Sequence, residues 1–199
     1  MRSRLLSPSV VLALILSAVP AAMASWTVDN DHSRLSFVSV KAGSVAEVHH
    51  FGQLAGALED DGSFRVEIDL ASVETLIEIR NERMREMLFE TGTFPTASLS
   101  SQIDLDAVRA LEVGEQTEVV SEAELDLHGK KTNLTIRAVV ARLASDRLLV
   151  TSAQPLTLNA DMLGLSEGVE KLREVAGLSS ISPAVPVTFR LTLVEAAQG

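Results

Sequence analysis

Ser63-Phe64-Arg65-Val66-Glu67-Ile68-Asp69-Leu70 alternates without a break. Phe64, Val66, Ile68 and Leu70 fall on one face, and Arg65, Glu67 and Asp69 on the other. Alternation over this length describes a strand with one side against a core and the other in water. The period recurs at Ala97, Leu99, Ser101, Ile103 and Leu105, and again at Val119, Ser121, Ala123, Leu125 and Leu127. Glu118, Glu122, Glu124 and Asp126 stand opposite the second of these sets. Val185, Val187, Phe189, Leu191 and Leu193 close the chain in the same way.

Working outward from these runs gives about eight strands, near 34–42, 45–58, 63–71, 96–105, 117–127, 132–143, 147–160 and 184–195. Asp60-Asp61-Gly62 and His128-Gly129-Lys130-Lys131 supply turns between neighbours. One-sided strands joined by short loops fit an up-and-down barrel or a sandwich, and periodicity alone leaves both open. Two segments break the pattern. Residues 79–90 lack Gly and Pro and place Met84, Met87 and Leu88 at i, i+3 and i+4, a short amphipathic helix. A weaker helix is expected from Ser166, a candidate N-cap, to Val175, with Gly177 as its stop.

The first 24 residues read as a leader. Arg2 and Arg4 precede an apolar run from Leu5 to Val19, then Pro20 and the small-residue tripeptide Ala22-Met23-Ala24. Cleavage is expected after Ala24, leaving one domain over 25–199 and a periplasmic location. Without Arg2 and Arg4, the balance is 15 basic to 27 acidic residues. A phosphate backbone needs a basic face, so nucleic acid is not the expected partner. No cysteine is present, so packing and strand pairing hold the fold without disulfides.

Chemistry-bearing clusters are sparse. His49 and His50 are adjacent and face opposite ways on a strand, so only one could join His32 or His128 at a metal. No strained Gly-x-Ser-x-Gly turn marks a serine nucleophile. The many carboxylates lie on water-facing positions, where burial cannot tune one as an acid. No catalytic or metal-ligating residue is therefore assigned, and no cofactor. The helix at 79–90 either caps one end as ordinary core or forms a lid, its methionines adaptable and its arginines able to meet a polar head group. Several presumed inward positions are small (Ala97, Ser101, Ser121, Ala123, Ala138, Ser152), and aromatics are few. An interior built this way leaves smooth apolar room suited to an aliphatic chain.

The chain resembles the YceI-like family of periplasmic, lipocalin-like barrels described as binding polyisoprenoids. The residues that carry the likeness are Trp26-Thr27-Val28-Asp29, His32-Ser33-x-Leu35-x-Phe37, Gly43-Ser44-Val45, the block Arg80-Asn81-Glu82-Arg83-Met84-Arg85, Leu88-Phe89, Phe94-Pro95-x-Ala97, Leu127-His128-Gly129-Lys130 and the closing Val185-x-Val187-x-Phe189-x-Leu191. Family members often carry Asn-Arg and then Phe-Gly late in the chain. Here Leu158-Asn159-Ala160-Asp161-Met162-Leu163-Gly164-Leu165 stands in that place, which alters the expected pocket wall. The resemblance implies an all-β, eight-stranded antiparallel barrel with one or two short helices. It also implies an isoprenoid lipid as ligand, a polyprenyl chain or a quinone tail, with transient membrane contact. Facing patterns then nominate Phe37, Met84, Met87, Leu88, Leu99 and Phe189 as cavity contacts, with Arg83 near a head group. An enzyme working through His32 or His49, and a filled barrel that binds proteins, are the rival readings. A homodimer is compatible with either.

Overall fold

The structure, a computed structural model, describes residues 24–196. The expected leader, apart from Ala24, lies outside that range. In chain order the elements are β1 (Ala24–Lys41), β2 (Val45–Phe51), β3 (Leu54–Glu59), β4 (Ser63–Asp69) and the short β5 (Val73–Glu74). Helix α1 (Glu78–Arg83) runs on into a π-helical turn, Met84–Leu88, before β6 (Thr96–Gln102) and α2 (Asp106–Arg109). Then come β7 (Gln116–Leu127), β8 (Lys130–Ala144), β9 (Arg147–Ser152), β10 (Leu156–Asn159), α3 (Ser166–Val175) and β11 (Ala184–Glu195).

The pairing is antiparallel throughout and closes on itself. β11 pairs with β1 from Trp26↔Glu195 to Phe37↔Val187, which turns the sheet into a barrel. The barrel has eight staves, because two pairs of strands each act as one. β2 and β3 lie along successive halves of β1 and are broken at Gly52 and Gln53. β9 and β10 lie along successive halves of β11. The expected strands at 45–58 and 147–160 are therefore single staves with a bend. Closure excludes the sandwich that alternation had left open.

Alternation sets the facing. Val66, Ile68 and Leu70 are buried while Arg65, Glu67 and Asp69 are exposed. The β7–β8 connection has two residues, His128 and Gly129, both at positive φ (54° and 69°), the turn whose twist matches a hairpin. β1 begins ten residues before the expected start. Its polar run sits at a register shift between Asp29 and Arg34. There Ser33 Oγ donates to Asp29 O and accepts from Thr192 N–H, so hydroxyl groups patch the interrupted ladder.

The ends of the barrel differ. One end is packed by Leu58, Val140, Leu148 and Leu193 around Val108 of α2, a helix the sequence reading did not include. At the other end α1, the π turn and α3 lie across the opening. α3 spans the expected residues, but Leu165 occupies the N-cap and Ser166 Oγ instead donates to Asp161. Gly177, at φ 63°, stops it, with Leu178 N–H on Arg173 O.

α3 meets the π turn at Gly168. A Cβ there would stand 2.6 Å from Met87 O and 2.8 Å from Leu88 Cα, so only glycine permits the approach. Gly168→Ala is expected to force the two apart and cost about 1–3 kcal/mol, read as a lower melting temperature. An unchanged melting temperature would mean that α3 shifts without resistance.

Candidate functional site

The inward faces enclose two apolar chambers set end to end. The deeper one, about 170 Å³, is lined by Val66, Leu99, Ile136, Leu148 and Phe189 among others, and Val108 closes its far end. The outer one, about 410 Å³, lies beneath α1, the π turn and α3, with Phe37, Phe51, Leu127 and Val187 in its walls. Leu35, Ile68, Leu125, Leu158 and Val187 line both, so the chambers share a waist. The outer volume is in the range of small-molecule sites. The deeper one is near the size at which an apolar void stays dry and takes up hydrocarbon. Small inner residues make this room: Ser101, Ser121 and Ala138 in the deeper chamber and Ala97 in the outer one.

The nominated contacts divide between the chambers. Phe37, Arg83, Met84 and Leu88 line the outer chamber, and Leu99 and Phe189 the deeper one. Met87 lines neither. The reason is the π turn: Phe89 N–H reaches Met84 O, an i→i+5 bond. In so wide a turn, residues i+4 and i+5 come back to the starting face, and i+3 falls short. Leu88 and Phe89 accordingly join Met84 in the core. An unbroken α-helix over 79–90 would have kept Met87 in the stripe.

The outer chamber has a polar end, which the sequence reading did not assemble. Ser39, Lys41, Glu47, His49, Arg80 and Arg83 all line it. Glu47 receives Lys41 Nζ at 2.7 Å and Arg80 Nη1 at 2.8 Å. The Lys41 hydrogen bond, with Arg80 behind it, holds the Glu47 carboxyl below the usual carboxylate range. Arg80 also donates to Thr75 O at 2.6 Å, which ties α1 to the chain before it. Asn81, fully buried, accepts from the Thr75 N–H and hydroxyl and completes that anchor. Arg85 is committed elsewhere, to Asn81 O and Glu78. On β2, Glu47 and His49 point inward beside Phe51, while Val48 is 69 % exposed. The signal for this site was a charge at an inward register position.

His49 is 2 % exposed, and its Nε2 lies 2.8 Å from Ser39 Oγ. A serine and histidine so placed beside an apolar chamber invite comparison with a hydrolase. Burial first, and the Arg80 and Lys41 charges after it, lower the His49 pKa to about 4, opposed by Glu47. A base that weak removes a serine proton poorly near neutrality. The pair therefore reads as a hydrogen bond that satisfies buried groups. His32 stands away from the chamber, exposed and paired with Asp29. Among the described residues, no three His, Asp or Glu side chains gather as metal ligands would. A larger concavity, about 910 Å³, opens on the outer sheet face among Ala55, Ser100, Arg65 and Glu122. It is open to water, and Glu59, Arg65, Glu67, Glu122 and Glu124 stand in its walls.

A family model described as the YceI-like domain matches residues 26–193. A polyisoprenoid binding domain from Saccharophagus degradans, implicated in plant cell wall breakdown, is 40% identical with a TM-score of 0.86. That match covers 87% of this chain and 100% of the other. BcnA from Burkholderia cenocepacia is 20% identical with a TM-score of 0.65, covering 83% and 98%. The YCEI protein of Campylobacter jejuni is 10% identical with a TM-score of 0.56, covering 75% and 85%, a likeness of fold. No curated protein matches significantly.

Because the His49 pKa falls from 6.5 to about 4 on folding, the unfolded chain takes up a proton first as pH drops. Stability from this group is full above pH 6.5 and is lost between about 6.5 and 4. The size is on the order of 3 kcal/mol. Unfolding free energies from urea titrations at pH 7 and pH 4.5 should differ by about 2 kcal/mol less in His49→Gln than in the parent. An equal acid loss in both would remove His49 from the account.

Proposed function

The chain belongs to the YceI-like family, and on that premise we propose that it is a binding and carrier protein for an isoprenoid lipid held in the two chambers. The observation that carries this reading is the blind apolar tube: closed at α2, walled by aliphatic side chains, and open beside a polar cluster. The Saccharophagus domain, 40% identical, is described as binding polyisoprenoids. A polyprenyl tail suits such a tube, and each methylene withdrawn from water contributes about 0.8 kcal/mol. Bilayer interiors are as apolar as the tube, so uptake from a membrane gains little from the hydrophobic term and is reversible. Binding rather than turnover is the proposed role. The leader-like order of residues 1–24 supports work outside the cytoplasm, in the periplasm.

The mouth supports a transient contact with membranes. Leu76 is 87 % exposed and sits at φ 62°, an unusual conformation for a bulky side chain, with its N–H on Glu74. Ile77 and Ile79 follow it, half out of the chamber wall and half in water. Apolar groups on the rim of a lipid cavity are placed to touch a bilayer while cargo passes. No helix among the described residues is long and apolar enough to span a membrane. The outer barrel face carries pairs such as Arg65–Glu67 and Lys131–Glu124, which hydrocarbon would not accept.

Two measurements test the reading. Mass spectrometry of an organic extract of the protein, purified from its own cells, is expected to show an isoprenoid near one per chain. Extracts free of isoprenoid from repeated preparations would sink the carrier role. In a vesicle-to-vesicle transfer assay, the double variant Leu76→Asp, Ile79→Asp should slow transfer at least about tenfold, since even partial burial of two aliphatic side chains in the bilayer surface contributes more than about 1.4 kcal/mol. Unchanged transfer would discard the rim as the contact.

A further inference from the structure

Arg34 and Arg190 stand opposite one another across the β1–β11 ladder, both exposed on the outer face of the barrel. Like charges directly opposite on a sheet repel. Neither has a hydrogen bond or ion pair to any other described residue. Elsewhere the wall pairs its outward cations: Arg65 with Glu67, Arg137 with Glu118 and Lys131 with Glu124. In a chain of formal charge −10, two bare arginines side by side reverse the local sign.

Towards the mouth the outward positions lose fixed charge and then polarity. Ser36 aligns with Thr188 on one side and with His50 on the other. Val38 comes next, beside Val48, and then Val40 beside Ala46. Pro186 and Ala184 carry the same face along β11. Beyond β2 the surface continues into the rim, because Glu74 pairs with His50 and exposed Leu76 follows two residues later. Glu74 does not neutralise the arginines, since its carboxylate takes the Leu76 N–H and Asn81 Nδ2. β7 lies four staves from β1 in either direction, on the far side of the ring, and turns Glu118, Glu122 and Glu124 outward. An eight-stranded ring is about 15 Å across its backbone, by strand spacing and tilt. Charges fade over about 8 Å at physiological salt, so a surface touching β1 feels the arginines and little of β7.

We propose that the outer wall at the β1–β11 seam is a docking face for an anionic bilayer surface. Arg34 and Arg190 meet lipid phosphates, whose oxygens match the guanidinium fork. Val38, Val48 and Pro186 settle among the head groups, and the mouth tilts onto the membrane from that side. This rests on the carrier reading and deepens it, because it gives the membrane contact a direction and a lipid charge.

Flotation with two vesicle preparations tests it, one of phosphatidylcholine and one of an equal mixture with phosphatidylglycerol. The parent should partition onto the mixed vesicles about tenfold better, and raised salt should remove the gain. The double variant Arg34→Gln, Arg190→Gln should abolish that gain, each basic residue near an anionic surface contributing about fivefold. Its melting temperature should not fall, because the change removes a repulsion, so lost binding would not be misfolding. Val48→Ser should weaken partition onto both vesicles about fivefold. Equal partition of the parent onto the two vesicles would overturn the anionic surface. A gain untouched in the arginine variant would overturn the assignment to this wall. A parent that floats with neither vesicle, and sediments as a dimer that the arginine variant breaks, would give the face to a second copy. An isoprenoid in the organic extract would leave the carrier standing through any of these failures, and its absence would remove the carrier whatever the vesicles show.

Discussion

The ladder between β1 and β11, from Trp26↔Glu195 to Phe37↔Val187, is the constraint on which the cavity depends. It joins residues from opposite ends of the described chain and leaves no edge between them. β1 is paired on both sides, with β11 along one and with β3 and then β2 along the other. Every inward residue therefore has its height in the barrel fixed relative to this strand. Closing a sheet over so long a loop is entropically slow, and only the completed ring buries the apolar faces fully.

Eight staves make a ring that side chains can nearly fill. Whether it is a core or a container is decided by a few small residues. Ser101, Ser121 and Ala138 leave the deeper chamber open, while Leu148, Val108 and Leu193 seal it. The outer chamber is roofed by helices whose contacts are close, with Gly168 against the π turn, and whose base is anchored by Asn81. The roof is thus a fitted part of the fold, held by backbone approach and buried hydrogen bonds. Arg83 is the exception within it, a charge that the fold itself does not use.

Alternation made the facing of β4, β6, β7 and β11 legible, because each has one side in water. It did not make the ends of β1 legible. Asp29 to Ser33 is polar on every position, and the register shift there uses side-chain hydroxyls that no period reveals. The helix at 79–90 was legible as a helix, but a π turn changes which residues share a face without changing composition. Met87 was misplaced for that reason and Phe89 missed. β2 was the harder case, since its inward face mixes Glu47 and His49 with Phe51 while Val48 faces outward. Hydrophobicity points the wrong way wherever a barrel turns polar groups inward to meet something. The barrel's closure, as distinct from its strands, was read through family resemblance, since a sandwich alternates just as well.

The plug of α2 carries a consequence for traffic. A tube sealed at one end has a single door, so its contents obey a strict order: what goes in last must come out first. A molecule loaded tail foremost presents its head at the threshold throughout its stay, and any acceptor must take hold there before a single methylene leaves. The sealed end also makes the tube a gauge. A tail too short leaves hollow space at Val108, and one too long keeps its head from reaching the polar threshold. Depth, set by where one four-residue helix stops the bore, would then select cargo by length with no contact that recognises length.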